Sequence, residues 1–461
     1  PLGASFVIPL ADGSGQFEVS VDGDAVEYNA ADQTLLAIAT GASVVTVTDS
    51  IVGCTDSEGT GTAKVVIPVG VVSALDVQTA HQAAGGTIQV HGPGDLNGDG
   101  IPDAVVAWQD SNYAGYRSGA VMIYAGSADG LGDAPVQVIA QETGSLGNRD
   151  RDAARRIHVG DLDGDGHQDL AIAAWADDEK GDDFGTVALY KGIPDGFFED
   201  DPYQSLYGDK KDDYFGASIA ACDFNNDQRM DLVVGSEAAE DETAEKVSNA
   251  QGAVSVFLGT VDGFSDEPDV LRFGVYPDGE TGEWKGLVNL DFGHALAVGD
   301  YNGDQICDLV VSAERYKTGG IGGGADGAVF LYLGNETTGL SETPVRLWEA
   351  SGSVRFGHSI AFGDLDDDGF DDLVVSQRLY KYKANKQAGA IRIFRGQAIG
   401  AETPLVNIAG ASADWSVFGD RAYALLGRNI RVADVNSDGH LDIVATTERG
   451  KVYGGESNLG S

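Results

Sequence analysis

Apolar residues in this chain come in short runs cut by Gly and Asp. A typical stretch reads Phe292-Gly-His-Ala-Leu-Ala-Val-Gly299, then Asp308-Leu-Val-Val-Ser312, then Gly327-Ala-Val-Phe-Leu-Tyr-Leu-Gly334, then the more polar Thr343-Pro-Val-Arg-Leu-Trp348. Runs of this length, rich in Val, Leu and aromatic residues and bounded by turn formers, predict strands rather than helices. The first two are almost wholly apolar, as inner strands packed on both faces must be. The same order of four strands recurs along the chain. Four antiparallel strands per unit, arranged radially, predict an all-β fold of β-propeller blades.

The first 72 residues alternate differently, through Gln16-Phe-Glu-Val-Ser-Val21, Leu35-Leu-Ala-Ile-Ala39, Ser43-Val-Val-Thr-Val-Thr48 and Ala63-Lys-Val-Val-Ile-Pro-Val69. Short strands between Gly and Asp turns predict a small β-sandwich over 1–72, with the propeller over 73–461. Residues 45–67 loosely resemble the tail of an immunoglobulin-like repeat of bacterial surface proteins. The chain begins Pro1-Leu-Gly without Met, which reads as a processed or excised piece.

Between the first and second strands of each unit lies one nine-residue pattern, Asp-x-Asx-x-Asp-x-x-x-Asp, present six times with first Asp residues at 95, 161, 223, 300, 364 and 434. Alternate oxygens on a tight loop converge on one point, and Ca²⁺ takes about 6–8 hard oxygen ligands. Positions one, three, five and nine offer side chains, and position seven its carbonyl. The predicted ligands of the first loop are Asp95, Asn97, Asp99, Ile101 and Asp103. The second offers Asp161, Asp163, Asp165, His167 and Asp169, and the third Asp223, Asn225, Asp227, Arg229 and Asp231. The fourth offers Asp300, Asn302, Asp304, Ile306 and Asp308, and the fifth Asp364, Asp366, Asp368, Phe370 and Asp372. The sixth offers Asp434, Asn436, Asp438, His440 and Asp442. A helix–loop–helix calcium hand needs Glu at position twelve. Here that position is Val106, Ile172, Val234, Val311, Val375 and Ala445, inside a strand. About six Ca²⁺, one per loop, are expected. Position six is Gly in four loops and suits the left-handed backbone of a sharp turn. Gln228 and Gln305 take its place in the other two and predict strained, weaker sites.

Phe215-Gly216, Phe292-Gly293 and Phe356-Gly357 each stand eight residues before a loop. With the calcium loop, Asp-Leu-Val-Val and a Gly-led third strand, they resemble the FG-GAP repeats of integrin α-subunit propellers and their bacterial and lectin relatives. Units one and two lack the Phe-Gly pair. Phe418-Gly419 lies sixteen residues before its loop and predicts an insertion in the sixth unit. The loops predict six blades, with a seventh the alternative if residues 1–72 supply one. The last unit lacks an outer strand, and Ala74-Leu-Asp-Val-Gln-Thr-Ala80 is expected to close the ring and remove a raw edge.

Net charge is −44, from 29 basic and 73 acidic residues. Clustered carboxylates without metal repel one another, so metal binding is expected to couple to folding. The same charge argues against nucleic acid or an anionic membrane as partner. No apolar run is long enough for a transmembrane helix. Cys54, Cys222 and Cys307 form no evident framework and are read as buried free thiols, with a Cys222–Cys307 disulfide the alternative. Weak calcium loops are of little use in submicromolar cytosolic calcium, and with the family resemblance they point to a secreted or cell-surface setting. Asn335-Glu-Thr337 is a weak glycosylation signal.

The resemblance implies structural calcium loops on one face and ligand binding on the opposite face, where second strands lead into third strands. There Arg315, Tyr316, Lys317, Arg378, Tyr380, Lys381, Tyr382, Lys383 and Lys386 are expected to form a basic-aromatic patch of blades four and five. Arg offers bidentate donors and Tyr rigid amphipathic area. The alternative is that these residues pair with acidic loops. Trp175, Trp284, Trp348 and Trp415 read as packing between blades, and His158, His294 and His358 as satisfied core groups. The predicted function is an extracellular calcium-stabilised binding or adhesion module for a glycan or protein ligand, not an enzyme. The alternatives are a polysaccharide lyase, in which a Tyr/Arg/Lys cluster deprotonates a uronic acid, and a structural spacer of a large surface protein.

Overall fold

The computed structural model describes side chains at residues 94–108, 119–127, 130–132, 134–140, 156–175, 184–194, 196–240, 251–261, 263–274, 290–316, 326–345, 352, 354–399, 413–435 and 439–447, and further strands by their backbone. No helix occurs among the described residues.

Among the described residues six units follow one another, each carrying an acidic loop. The first pairs Ile88–Gly94, Asp103–Trp108, Ala120–Tyr124 and Gln137–Ile139 in one antiparallel sheet. The second pairs Arg156–Gly160, Asp169–Ala174, Thr186–Tyr190 and Gln204–Tyr207. The third uses Phe215–Cys222, Asp231–Ser236, Ala253–Phe257 and Val270–Phe273. The fourth uses Phe292–Gly299, Asp308–Ala313, Ala328–Tyr332 and Arg346–Glu349. The fifth uses Phe356–Gly363, Asp372–Gln377, Ala390–Phe394 and Trp415–Phe418. The sixth shows Ile430–Ala433 paired with Asp442–Ala445. Its expected third strand and the closing segment 74–80 lie outside the described residues. These repeated sheets are the blades of a β-propeller.

The core sits between blades rather than inside them. One cluster joins Leu170, Ile172 and Tyr190 of blade two to Val105, Val121 and Ile123 of blade one. Corresponding clusters join blades two and three, three and four, four and five, and five and six. The second strands of blades two to five are buried along their whole length, which is why they read as unbroken apolar runs.

The Phe-Gly pair makes the joint between blades. Gly252 bridges to Phe292, Gly327 to Phe356 and Gly389 to Leu426, each in parallel. A Cβ on Gly327 would stand 2.2 Å from the Phe356 carbonyl oxygen, so only glycine allows this approach. The sixth blade therefore opens with Leu426-Gly427, eight residues before Asp434, and carries no insertion. Phe418 instead pairs with Ala390 as the end of blade five's outer strand. The expectation for Phe418-Gly419 fails because Leu fills the joint as well as Phe does.

Two further departures concern pairing. Cys222 and Cys307 form a disulfide, with Cα atoms 6.0 Å apart, and are not free thiols. The register between blades brings them together: the Cys307 N–H donates to the Asp223 carbonyl at 3.3 Å, as Asp371 N–H does to Asp300 at 2.9 Å. Position eight of one loop thus meets the start of the preceding loop. Second, Val406–Ala409 leaves blade five and pairs in parallel with Arg346–Glu349, giving blade four a fifth strand that covers its outer edge.

Toward the N-terminus, Phe17–Asp22, Gly41–Asp49 and Gly61–Val69 form one three-stranded antiparallel sheet. Ser5–Val7, Thr34–Ala37 and Val26–Asn29 form another. The strands Ser5–Val7 and Val26–Asn29 are additional to those the alternation predicts.

Candidate functional site: the acidic loops and the opposite face

Each acidic loop folds around its own carboxylates. In the first, Asp95 accepts the N–H groups of Gly98, Asp99 and Gly100 at 2.8–3.0 Å, and Asp99 accepts that of Ile101 at 2.8 Å. The third loop repeats this with Asp223 accepting from Asp227 and Gln228, and the fourth with Asp300 accepting from Gly303, Asp304 and Gln305. The carboxylates thereby face inward. Gln228 and Gln305 both take φ 68°, the left-handed conformation expected of position six. Position four is also left-handed, at Asn226 (φ 58°) and Asp367 (φ 57°). The signal for that second turn was the row of Gly, Asn and Asp at position four.

The ninth Asp is a latch. Asp103 accepts from Leu96 N–H at 2.9 Å with one oxygen and from Gly126 N–H at 2.7 Å with the other. Asp169, Asp231, Asp308 and Asp372 hold position two and the glycine after the third strand in the same way. These carboxylates are buried. Burial raises Asp169, Asp231 and Asp372 to about 6 and Asp308 to about 8, against the backbone hydrogen bonds that lower them.

Among the described residues, ligand atoms of Asp161, Asp163 and Asp169 lie within 4.8 Å of one another, as do those of Asp364, Asp366 and Asp368. Asp366 Oδ1 is buried without a hydrogen-bond partner, an orphan acceptor of the kind a cation satisfies. These two loops carry Asp rather than Asn at position three. Each has a cation beside that residue: Lys191 contacts Asp163, and Arg395 lies 2.6 Å from Asp366. The Asn-bearing loops one, three and four have Ala125, Leu258 and Leu333 at the corresponding place, so an added carboxylate goes with an added cation. Asn436 and Asp438 lie outside the described residues.

On the opposite face the expected patch divides. Tyr316 is fully buried, edge-on to Phe330 at 5.9 Å, and belongs to the core of blades three and four. It is not a surface residue, because the chain after Ala313 turns inward: Tyr316 N–H bonds to the Ala313 carbonyl at 3.0 Å. Arg315 is spent on Asp291 at 2.9 Å. Lys317 lies outside the described residues. Blade four thus adds no free cation here among the described residues.

Blade five is different. Tyr382 stacks on Phe418 at 4.2 Å with the rings 6° apart, and Lys383 Nζ stands 4.9 Å over the Tyr382 ring. Tyr380 packs against Phe418 at 5.7 Å and beneath Arg392 at 4.8 Å. Arg378 is half-buried, its Nε without a hydrogen-bond partner. Lys381, Lys383 and Lys386 are exposed, and no carboxylate among the described residues pairs with them. The loop is held by reciprocal backbone bonds between Tyr382 and Asn385 at 2.9–3.1 Å, by Asn385 Nδ2 donating to the Asp420 carbonyl at 2.7 Å, and by Tyr423 N–H donating to Lys386 at 2.8 Å. Sequence reasoning missed Arg392 and Phe418. The interruption of the apolar strand Ala390–Phe394 by Arg392 was the available signal.

The profile of FG-GAP-like repeats matches residues 95–172, 161–234 and 300–375, and that of the FG-GAP repeat matches 215–257. Integrin alpha-V of Gallus gallus is 28% identical over 237 residues, covering 50% of this chain and 20% of that protein. Integrin alpha-PS3 of Drosophila melanogaster is 32% identical over 197 residues, covering 40% and 15%. Integrin alpha-IIb of Mus musculus is 32% identical over 213 residues, covering 45% and 18%. The aligned region spans a fifth or less of the length of these relatives.

Proposed function

The chain belongs to the integrin-like FG-GAP repeat proteins, and on that premise we propose that it is an extracellular, calcium-stabilised binding module. It takes an acidic glycan or protein ligand on the face opposite the acidic loops. The observation that carries this reading is the blade-five loop. Three exposed lysines, with no carboxylate partner among the described residues, stand on a tied-down loop backed by stacked aromatic rings, in a chain of net charge −44. A rigid loop loses little entropy on binding. Lysine ammonium groups suit a carboxylate- or sulfate-bearing partner, and the tyrosine rings add rigid amphipathic contact area. Arg378, Tyr380, Lys381, Tyr382, Lys383 and Lys386 are the proposed contacts, with Lys317 outside the described residues, and Arg315 and Tyr316 are not.

Calcium is the proposed scaffold ion, one per loop, held by positions one, three, five and nine and the carbonyl of position seven. The inward carboxylates and the orphan Asp366 Oδ1 support it. The hard oxygen donor set suits Ca²⁺ over transition metals. The propeller is proposed to span 73–461, and 1–72 to be a separate β unit. The Cys222–Cys307 disulfide supports an oxidising, extracellular setting. A lyase is the weaker choice, because Tyr316 of the presumed base cluster is sealed in the core.

The test is binding of the calcium-loaded protein to arrays of acidic glycans and acidic peptides. Replacing Lys381, Lys383 and Lys386 together by Glu is expected to abolish binding without lowering the melting temperature. Binding unchanged in that variant would remove the proposed site.

A further inference from the structure

A second donor set lies on the loop-opposite ends of blades four and five, and none of its members belongs to the acidic loops. His294 and His358 occupy equivalent places at the start of two neighbouring inner strands, just after the Phe-Gly pair. Their rings stand 5.3 Å apart, tilted by 32°. Glu314, at the end of blade four's second strand, is buried between them. Its Oε2 lies 2.7 Å from His358 Nδ1 and 3.9 Å from His294 Nε2. One ligand atom from each of the three residues falls within 4.8 Å of the others. Arg355 takes the other Glu314 oxygen, which leaves Oε2 directed at the two imidazoles.

We infer that His294 Nε2, His358 Nδ1 and Glu314 Oε2 form a binding site for a divalent first-row transition metal, represented by Zn²⁺. Two imidazoles and one carboxylate suit that class, whereas Ca²⁺ prefers an all-oxygen shell. The outer partner is already in place: His294 Nδ1 lies 3.0 Å from Glu237 Oε1. A carboxylate on the remote nitrogen fixes the tautomer that presents the other nitrogen to a metal. Zinc bonds of about 2.0–2.2 Å in tetrahedral geometry set donors about 3.3 Å apart. The 2.7 Å and 3.9 Å separations bracket that spacing, so small rotamer adjustments complete the site. The ion replaces the proton shared by His358 and Glu314. Three protein donors leave a fourth position for water or for an oxygen of a ligand on this face. The inference does not rest on the lysine loop.

The test is Zn²⁺ titration of the full chain in excess calcium, so that the acidic loops are saturated, followed by the visible spectrum of the Co²⁺ form. The expectation is one Zn²⁺ per chain and the Co²⁺ absorption of a low-coordinate nitrogen-ligated site. His294→Ala and His358→Ala should abolish both. Glu237→Gln should weaken Zn²⁺ binding roughly 10–100-fold, and each variant is checked for a calcium-dependent melt. If the alanine variants fail to fold, His294→Asn and the wild-type Co²⁺ spectrum decide. A folded, calcium-loaded wild type that binds no Zn²⁺, a Co²⁺ spectrum without nitrogen-ligated bands, or folded histidine variants that bind as wild type does would each overturn the assignment.

Discussion

Asp308 accepts the backbone N–H of Gly334 at 3.0 Å, across 26 residues of chain. Its second oxygen accepts from Tyr301 N–H at 3.0 Å. One buried carboxylate therefore fixes the acidic loop, the second strand and the exit of the third strand. The same latch recurs at Asp103, Asp169, Asp231 and Asp372.

Cutting a latch should loosen one blade. An Asn can accept only one of the two N–H groups and presents an N–H₂ to the other. Asp231→Asn or Asp308→Asn leaves a buried donor unpaired, which costs about 1–3 kcal/mol. The melting temperature of either variant should fall, and the calcium stoichiometry should drop by the affected loop. Calorimetry with and without calcium reads both.

The latches also set the pH response of the metal-free protein. Burial raises Asp308 from 3.8 to about 8, and Asp231 and Asp372 to about 6. A raised folded-state pKa means that the folded protein holds protons the unfolded chain releases. Stability from these groups is complete below 3.8 and is lost as pH rises through about 6 and then about 8. Bound calcium competes with those protons, so the calcium-saturated protein should move the other way over the same window. Glu314, which burial alone would raise but which His358, His294 and Arg355 together hold low, titrates below it. Melting temperature against pH in chelator and in calcium separates the two cases. Parallel curves would contradict the account.

The disulfide predicts a thiol count. Alkylation of the denatured chain without reductant should modify one cysteine of three, and reduction should expose the other two. Cys222→Ser with Cys307→Ser should destabilise by roughly 2–4 kcal/mol, read as a lower denaturant midpoint.

Strain at position six is open to relief. Gln228 and Gln305 hold φ 68°, which costs a non-glycine residue about 1–2 kcal/mol. Gln305→Gly should raise stability by about 1 kcal/mol, less than the full strain because glycine also gains freedom in the unfolded chain. It should also tighten the fourth loop for calcium, and isothermal titration reads that directly.

Much of the propeller was legible because its rules are local. Apolar runs marked the strands, and the Asp spacing marked the loops between them, including the left-handed Gln228 and Gln305. What stayed hidden depends on register between blades. Nothing within either segment says that Cys307 faces the residue before Asp223; that follows from how one blade docks on the last. Leu426 escaped notice because the joint requires a bulky apolar side chain followed by Gly427, not phenylalanine itself. Tyr316 looked like surface because it sits in a loop with Arg315, yet the loop folds it under. The parallel strand Val406–Ala409 is a long-range pairing with no local mark. Of the basic patch, the exposure of the lysines was legible; the stacking of Tyr382 on Phe418, from a strand 33 residues away at Trp415, was not.

The central claim is that the acidic loops are calcium sites that hold the fold, while ligand binding belongs to the other face. Thermal unfolding across a calcium titration, with bound metal counted at equilibrium, tests it most directly. The account predicts one ion per loop and a melting temperature that rises with calcium, each site adding about 2.7 kcal/mol at 100-fold excess over its dissociation constant. The Lys381, Lys383 and Lys386 variant should follow the wild-type curve. A chain that melts identically in calcium and in chelator, with no ion bound, would contradict it.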